Sequence, residues 1–255
     1  MAMSVCEETL RQELVATSRR IWKSGWVANH DGNLSARLGD NLLCTPTAVS
    51  KGDVCPEWLI VVDPDGQVVQ GSRRSFSELK LHRAAYTARP DIGVVIHAHP
   101  PSVTAFAVSG VDLGHPFMAE PVVTLGPVIP RIPLMLPGDP DLPRAIARGL
   151  EQADVLILEG HGVLVVGGSF EQAVLRLELL EHLAKIALAA QHLGGTKPLP
   201  ETLVAQLAAK GRPKSMPDHT PDGAEGYAEG YAGPSAGSER PDLSSLVADA
   251  LQRLR

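Results

Sequence analysis

Helical and extended hydrophobic periods alternate along most of the chain. The clearest helical pattern begins at Ser169, which together with Gln172 fits a capping box. Apolar residues then form one stripe at helical spacing: Phe170, Ala173, Val174, Leu177, Leu180, Leu183, Ala184 and Ala187. The pattern predicts a long helix that ends near Gly194 and Gly195, since glycine commonly terminates helices.

Shorter patterns predict the remaining elements. Further helices are predicted over residues 7–24, 78–88, 102–109, 141–152 and 201–209. Apolar runs predict strands at 42–45, 59–62, 94–96, 155–158 and 163–166, of which the last two are expected to pair. The turn-rich segment 29–41 is predicted to be a loop, and the proline-rich segment 121–137 a series of short strands.

The composition changes after Lys210. Residues 211–240 are rich in Gly, Pro, Ser and Asp and contain the duplication EGYAEGYAG, which predicts a flexible linker. Residues 241–255 place their apolar side chains on one face of a short amphipathic helix. Such a helix is too short to be stable alone, so we expect it to dock on its own subunit or a neighbour. The predicted organisation is a domain at 1–210, a linker at 211–240 and a terminal helix at 241–255.

Bulk composition narrows the class of protein. A length of 255 residues with 44% hydrophobic residues suits one α/β domain, with or without a tail. The net charge of −6 argues against a nucleic-acid partner, and no apolar run approaches the roughly 20 residues of a membrane helix. The three cysteines lack CxxC spacing and the first residues show no signal segment, so we expect free thiols and a cytoplasmic location.

Three histidines form a candidate metal site. His97 and His99 follow an apolar run, and in a strand both would point to the same face, about 6.6–6.8 Å apart. His161 follows another apolar run between Gly160 and Gly162, which allow a tight turn. Three neutral imidazoles with a carboxylate or water make an open site for zinc or a similar divalent metal. Each histidine alone could be an ordinary core or surface residue, but the combination favours a metal.

Five motifs occur in a characteristic order. They are GNLS at 32–35, TPT at 45–47, SE at 77–78, HAHPP at 97–101 and GHG at 160–162. In this combination the chain resembles the class II aldolase/adducin family, over about residues 8–195. The resemblance implies a single-domain, three-layer α/β/α fold with a central, mostly antiparallel sheet. It also implies a homotetramer, with active sites between adjacent subunits.

The resemblance implies a role for each matching residue. The metal ligands would be His97, His99 and His161, and the metal would be Zn²⁺, with Mn²⁺, Co²⁺ or Fe²⁺ as alternatives. Glu78 would be the acid/base glutamate, which can also approach the metal. The positions that bind the substrate phosphate or nearby polar groups are Gly32, Asn33, Thr47 and Ser77.

Local sequence leaves simpler explanations open for several of these residues. Glu78 follows Ser75 by three residues, so the two could form only a capping box. Asn33 lies in Asp-Gly-Asn, a common turn signature. Thr47 could simply edge a strand, and Ser77 could simply cap a helix.

The chain also departs from the pattern of the family's sugar-phosphate aldolases. Phe76 replaces a serine that usually precedes Ser-Glu, and Ala48 replaces a glycine that usually follows TPT. Those aldolases use a tyrosine in the loop after the HxH segment to protonate the departing aldehyde, whereas this chain reads GHPFMAEPVV there. His115 or Glu120 could substitute for that tyrosine.

These observations predict a metal-dependent lyase that acts on a small molecule. The expected reaction is reversible aldol cleavage of a small hydroxy-carbonyl compound, such as a sugar phosphate, through an enediolate. A decarboxylase or dehydratase of the same fold, acting on a non-phosphorylated carboxylate, is the alternative, because Phe76 beside the site would suit a flat substrate. A non-catalytic, adducin-like interaction domain is disfavoured, since such domains need not retain all three histidines.

Overall fold

The structure, a computed structural model, describes residues 7–135 and 139–211, and within these ranges the strands form one sheet of eight. The helices are α1 (Glu7–Lys23), α2 (Leu79–Ala88), α3 (Pro101–Ser109), α4 (Ala119–Leu125), α5 (Leu142–Gln152), α6 (Phe170–Gln191) and α7 (Glu201–Gly211). The strands are β1 (Asn33–Leu38), β2 (Asn41–Cys44), β3 (Ile60–Val62), β4 (Val68–Gln70), β5 (Val94–Ala98), β6 (Arg131–Ile132), β7 (Val155–Leu158) and β8 (Gly162–Gly167).

The sheet is mostly antiparallel, as expected. Its strand order is β4-β3-β2-β1-β5-β8-β7-β6, and the pair β6–β7 is parallel while the other neighbouring pairs are antiparallel. A short antiparallel ladder can close through a tight turn, which is how β7 leads into β8. Both β1 and β8 flank β5, so β5 lies near the middle of the sheet.

Helices cover the two faces of the sheet and create two separate cores. One core joins the sheet to α1, α3 and α6, and the other joins it to α2 and α5. Successive side chains of a strand point to opposite faces, so Val94, Ile96 and Ala98 of β5 enter the first core while Val95 enters the second. The prediction of a three-layer α/β/α domain is therefore confirmed.

The prediction of a loop at residues 29–41 is wrong for most of that segment, which forms β1. The strand was missed because Asn33 and Ser35, two polar residues, occupy one of its buried faces. Buried polar groups need hydrogen-bond partners, and Ser35 Oγ finds one in His82 Nδ1, 2.6 Å away on α2. The pattern therefore did not show the apolar alternation typical of a strand.

The proline-rich segment 121–137 also differs from its prediction of short strands. Residues Ala119–Leu125 form α4, and only Arg131–Ile132 form a strand. Pro121 is compatible with a helix because it lies in the first turn, where backbone N–H groups have no partner within the helix. Residues 136–137 lie outside the part of the chain that the structure describes.

The other predicted elements agree with the structure to within a few residues. Ser169 caps α6 as predicted, since its Oγ accepts a hydrogen bond from the backbone N–H of Gln172 at 3.2 Å. The predicted linker beyond Gly211 and the terminal helix at 241–255 lie outside the described residues. None of the helices within the described ranges is long and apolar enough to span a bilayer.

Candidate metal centre

The three candidate histidines converge at one end of β5. His97 is the fourth residue of that strand, His99 follows its last residue, and His161 lies in the turn between β7 and β8. Because β5 pairs with β8, this turn is brought beside the end of β5. The Nε2 atom of His97 lies 3.0 Å from that of His99 and 2.9 Å from that of His161.

The arrangement of these nitrogens fits a divalent metal. His97 Nδ1 must donate to the carbonyl oxygen of Val163, 2.9 Å away, because a carbonyl can only accept. Its Nε2 therefore carries a lone pair that faces the other two Nε2 atoms. Lone pairs at this separation repel one another unless a proton or cation lies among them. Zinc–nitrogen bonds in tetrahedral geometry place ligand nitrogens roughly 3.3 Å apart, close to the observed spacing.

Two glycines shape the turn that carries His161. Gly160 has φ +66°, a left-handed conformation that glycine adopts without strain. A Cβ atom on Gly162 would lie 2.4 Å from Cδ2 of His99 and 2.6 Å from the carbonyl oxygen of Ala98. The absence of a side chain at Gly162 therefore leaves room for the His99 ring, which links the GHG motif to the HxH motif.

Glu78 faces the histidines from the start of α2. Its Oε1 lies 2.7 Å from His161 Nε2, and its Oε2 lies 3.4 Å from His97 Nε2. Oε2 also accepts a hydrogen bond from Asn33 Nδ2 at 2.7 Å. Glu78 occupies the N-cap position itself and makes no side-chain capping bond, so the capping-box alternative with Ser75 is wrong.

The surroundings of Glu78 keep its carboxylate ionised. Burial alone would raise the pKa of Glu78, but the hydrogen bond from His161, the proximity of His97 and the hydrogen bond from Asn33 hold it well below its usual range. Burial lowers the pKa of His97 to about 4, so this imidazole is neutral near pH 7. Burial also lowers the pKa of His99, whereas the hydrogen bond to Glu78 raises the pKa of His161. Three imidazoles beside a carboxylate are the kind of donor set that zinc and similar metals bind in open sites.

Two of the predicted substrate-binding residues form the wall beside the cluster. Asn33 is buried and lies opposite His97 in the β1–β5 pair, and its amide nitrogen is used to hold Glu78. Gly32 has φ +68°, and a Cβ atom there would lie 2.9 Å from the carbonyl oxygen of His97. Both residues are therefore brought to the site, while their contact with a substrate stays a prediction.

Thr47 and Ser77 belong to two segments that meet just before α2. The backbone N–H of Thr47 donates to the carbonyl oxygen of Arg74 at 3.1 Å, which joins the TPT loop to the segment before α2. Within the described ranges, neither hydroxyl hydrogen-bonds to Glu78 or to a candidate ligand. Ala48 has φ +57°, so it retains the left-handed backbone for which glycine is suited. The roles of Thr47 and Ser77 stay predictions.

Phe76 does not have the position that was expected for it. Its side chain is buried in the second core, and its ring meets the His82 ring edge-on with centroids 5.0 Å apart. The serine-to-phenylalanine departure therefore adds to packing behind α2. It removes the reason for expecting a flat substrate beside Phe76.

Sequence reasoning missed three polar residues around the site. Asp31 Oδ2 lies 3.7 Å from His99 Nδ1, and buried His82 lies one helical turn after Glu78. Glu181, a buried carboxylate on α6, accepts the backbone N–H groups of Ser102 and Val103 just after the HAHPP motif. The one available signal was for Glu181, an acidic residue within the apolar stripe of α6, where an isolated buried charge would need a partner.

Comparison with known proteins connects this geometry to a family. Residues 12–188 match the sequence profile described as "Class II Aldolase and Adducin N-terminal domain". The chain belongs to the class II aldolase/adducin family. The family is metal-dependent, which agrees with a histidine cluster that could bind a metal ion.

Relatives within the class II aldolase/adducin family carry out different reactions. The chain is 34% identical to a 3-oxo-tetronate 4-phosphate decarboxylase from Cupriavidus necator over 184 residues, which cover 71% of this chain and 84% of that protein. It is 33% identical to a methylthioribulose-1-phosphate dehydratase from Gluconacetobacter diazotrophicus, with 68% and 89% covered. A solved structure of L-fuculose 1-phosphate aldolase superposes with a TM-score of 0.74 at 25% identity, with 82% and 99% covered. The relatives are enzymes, and the bond that each one breaks differs.

Proposed function

We propose that this protein is a metal-dependent carbon–carbon lyase that forms an enediolate from a small hydroxy-carbonyl phosphate. The observation that carries the proposal is the convergence of three imidazole Nε2 atoms beside the Glu78 carboxylate. His97, His99 and His161 would hold the metal. Zn²⁺ suits three imidazoles best, with Mn²⁺, Co²⁺ and Fe²⁺ as alternatives.

The residues around the cluster supply proton transfer. A divalent metal would act as a Lewis acid that stabilises negative charge next to a carbonyl. Glu78 is partly exposed and lies beside the imidazoles, which places its carboxylate to accept a proton from a carbon beside that carbonyl and to return it later. Asn33 holds Glu78 Oε2 from the strand side, which limits the rotation of the carboxylate during this transfer.

Reversible aldol cleavage is the first candidate for the bond that breaks. Decarboxylation is the second, because it needs no acid to protonate a departing aldehyde. Tyr86 is buried in the second core, and the other tyrosines of the chain lie outside the described residues. Exposed His115 approaches Thr196 Oγ1 at 3.4 Å, and Glu120 is exposed on α4. Neither contacts Glu78 within the described part of the chain.

Support for a phosphorylated substrate comes from the loop that follows β2. Ala48 keeps the left-handed backbone there despite the loss of glycine, so the backbone path beside Thr47 is preserved. The decarboxylase and the dehydratase to which the chain is similar act, by their names, on sugar phosphates. We also propose that the enzyme is a homotetramer, which light scattering on the purified protein would test.

The first experiment is proton NMR of dihydroxyacetone phosphate with the purified protein in D₂O, with and without a chelator. We expect chelator-sensitive loss of the hydroxymethyl proton signal next to the carbonyl. The His99→Ala variant should lose both metal and exchange. The same enediolate arises from aldol cleavage and from loss of CO₂ by 3-oxo-tetronate 4-phosphate, so exchange tests the step that both candidates share.

A second measurement separates the two candidates. Release of CO₂ from 3-oxo-tetronate 4-phosphate would favour decarboxylation, whereas condensation of dihydroxyacetone phosphate with small aldehydes would favour the aldolase. Absence of exchange from protein shown to carry its metal would contradict the proposed enediolate of a phosphorylated donor.

A further inference from the structure

A second set of polar groups lies behind His99, on the side away from His97. The Nε2 atom of His99 faces His97, whereas its Nδ1 lies 3.7 Å from Asp31 Oδ2. Asp31 belongs to the loop between α1 and β1, and its side chain is 45% exposed. His97 is supported differently, because its Nδ1 donates to the backbone carbonyl of Val163. His99 therefore has a carboxylate where His97 has a carbonyl.

The loop that carries Asp31 is fixed tightly to the end of β5. The backbone N–H of Asp31 donates to the carbonyl oxygen of Ala28, and that of His99 donates to Trp26, both at 2.8 Å. Asn29, between Ala28 and Asp31 in the chain, has φ +49°, a conformation that asparagine tolerates better than most residues. The loop thus holds the Asp31 carboxylate within reach of the His99 ring.

Lys51 ties a second loop to this one. Its side chain is only 2% exposed, and Nζ donates to the carbonyl oxygens of His30 at 3.1 Å and Val49 at 2.8 Å. Within the described residues no carboxylate forms a salt bridge with it. Burying an ammonium group costs hydration free energy, a cost that a leucine or methionine side chain in the same place would not have. The carbonyl that it binds belongs to the residue immediately before Asp31.

The charges around Lys51 agree with a link to the site. Burial lowers the pKa of Lys51 to about 8, and the negative charges of Asp31 and Glu78 oppose this shift. The ammonium therefore experiences both carboxylates although it contacts neither. Its direct contacts, to two backbone carbonyls, fix the path of the loop.

We propose that Asp31 is a positioning residue for His99 and that Lys51 is a positioning residue for Asp31. The Asp31 carboxylate faces the Nδ1 side of the His99 ring at 3.7 Å, where its negative charge favours a proton on Nδ1 and so leaves the lone pair on Nε2, directed at the metal position. Lys51 holds the His30 carbonyl and thereby the loop that presents Asp31. A carboxylate behind a ligating histidine orients the ring and raises its basicity. The inference rests on the proposed metal site.

The test of Asp31 is the equilibrium Zn²⁺ affinity of the metal-free protein, measured by competition with a chromophoric chelator. Loss of such a carboxylate typically costs about 10–100-fold in affinity, and the 3.7 Å, half-exposed contact suggests about 10-fold for Asp31→Ala. Asp31→Asn keeps an acceptor without the charge and should lose less. Asp40→Asn, on the exposed turn at the other end of β1, should match the unmodified protein.

The thermal midpoint of each metal-free variant separates positioning from a merely structural role. We expect the Asp31 variants to unfold near the midpoint of the unmodified protein while their Zn²⁺ affinity falls. A lowered midpoint with unchanged affinity would overturn the inference for Asp31. Absence of Zn²⁺ binding by the unmodified protein would overturn the metal site and this inference with it.

A double-mutant cycle tests Lys51. Lys51→Met keeps the length of the side chain and removes its donors, so it should weaken Zn²⁺ binding severalfold. If Lys51 acts through Asp31, this loss should nearly vanish in the Asp31→Ala background, because the loop no longer presents a carboxylate. Equal losses in both backgrounds would overturn the inference for Lys51 and leave that for Asp31 intact. If Lys51→Met does not fold, Lys51→Arg is measured in its place. Arginine retains hydrogen-bond donors, so this variant should retain Zn²⁺ affinity.

Discussion

Glu78 Oε1 lies 2.7 Å from His161 Nε2, which brings the start of α2 into contact with the turn between β7 and β8. Glu78 immediately precedes α2, and His161 lies between two strands of the sheet that are far along the chain from it. Their contact makes the carboxylate part of the histidine cluster while one-fifth of its side chain remains exposed. Glu78 can therefore face both a bound metal and a substrate.

Glu78→Gln should separate metal binding from proton transfer. Glutamine keeps the shape of the side chain but cannot accept a proton at neutral pH, so exchange into dihydroxyacetone phosphate should fall by about 10²–10⁴-fold. The three histidines remain, so elemental analysis should still find metal. Glu171→Gln, on the exposed first turn of α6, is the matched control and should exchange normally. Full exchange by Glu78→Gln would remove Glu78 from the mechanism.

Gly162→Ala should damage the site through sterics alone. The added Cβ would lie 2.4 Å from the His99 ring and 2.6 Å from a backbone oxygen that cannot move away easily. We expect a loss of about 1–3 kcal/mol in unfolding free energy, together with weaker metal binding. Gly168→Ala is the control, since the nearest atom to its added Cβ is a side-chain oxygen at 3.6 Å. Equal metal affinity in both variants would contradict the predicted role of Gly162.

Ala48→Gly should stabilise the protein. Ala48 has φ +57°, where an alanine Cβ is strained, so glycine should raise the unfolding free energy by about 0.5–1 kcal/mol after its greater chain entropy is included. Ala205→Gly, on the exposed side of α7, should have the opposite effect and cost about 1 kcal/mol. Urea unfolding measures both. A destabilised Ala48→Gly would indicate that the methyl group makes a needed contact.

His82 should make the metal-free protein sensitive to acid. Burial, reinforced by nearby His97 and opposed by Glu78, lowers the pKa of His82 to about 3. Because the folded state holds this ring neutral, its contribution to stability is complete above pH ~6.5 and is lost as the pH falls towards 3. Each proton taken up on unfolding adds about 1.4 kcal/mol of lost stability per pH unit.

The test is urea unfolding between pH 6.5 and about 4. His82→Gln removes one titrating group, so its unfolding free energy should fall less steeply with decreasing pH than that of the unmodified protein. His192→Gln, at the exposed end of α6, should keep the original slope. Identical slopes for His82→Gln and the unmodified protein would contradict the lowered pKa, because they would mean that His82 binds protons equally well in the folded and unfolded states.

Local patterns in the sequence were sufficient for most elements and for half of the candidate site. The period of a strand placed His97 and His99 on one face, and the apolar stripe after Ser169 predicted α6 with its cap. These features depend on neighbours within a few residues, so they can be inferred from the sequence directly. The order of five short motifs indicated the family and pointed to His161 and Glu78.

Tertiary structure decided which polar residues meet. Strand β1 was missed because the partners of its buried Asn33 and Ser35 are supplied by α2, far along the chain. Asp31 and Lys51 carried no local signal at all, because their meaning comes from His99 and from a backbone carbonyl in another loop. Burying a polar group is stable only when a distant partner satisfies it, and that pairing exists only once the sheet register and helix packing are in place.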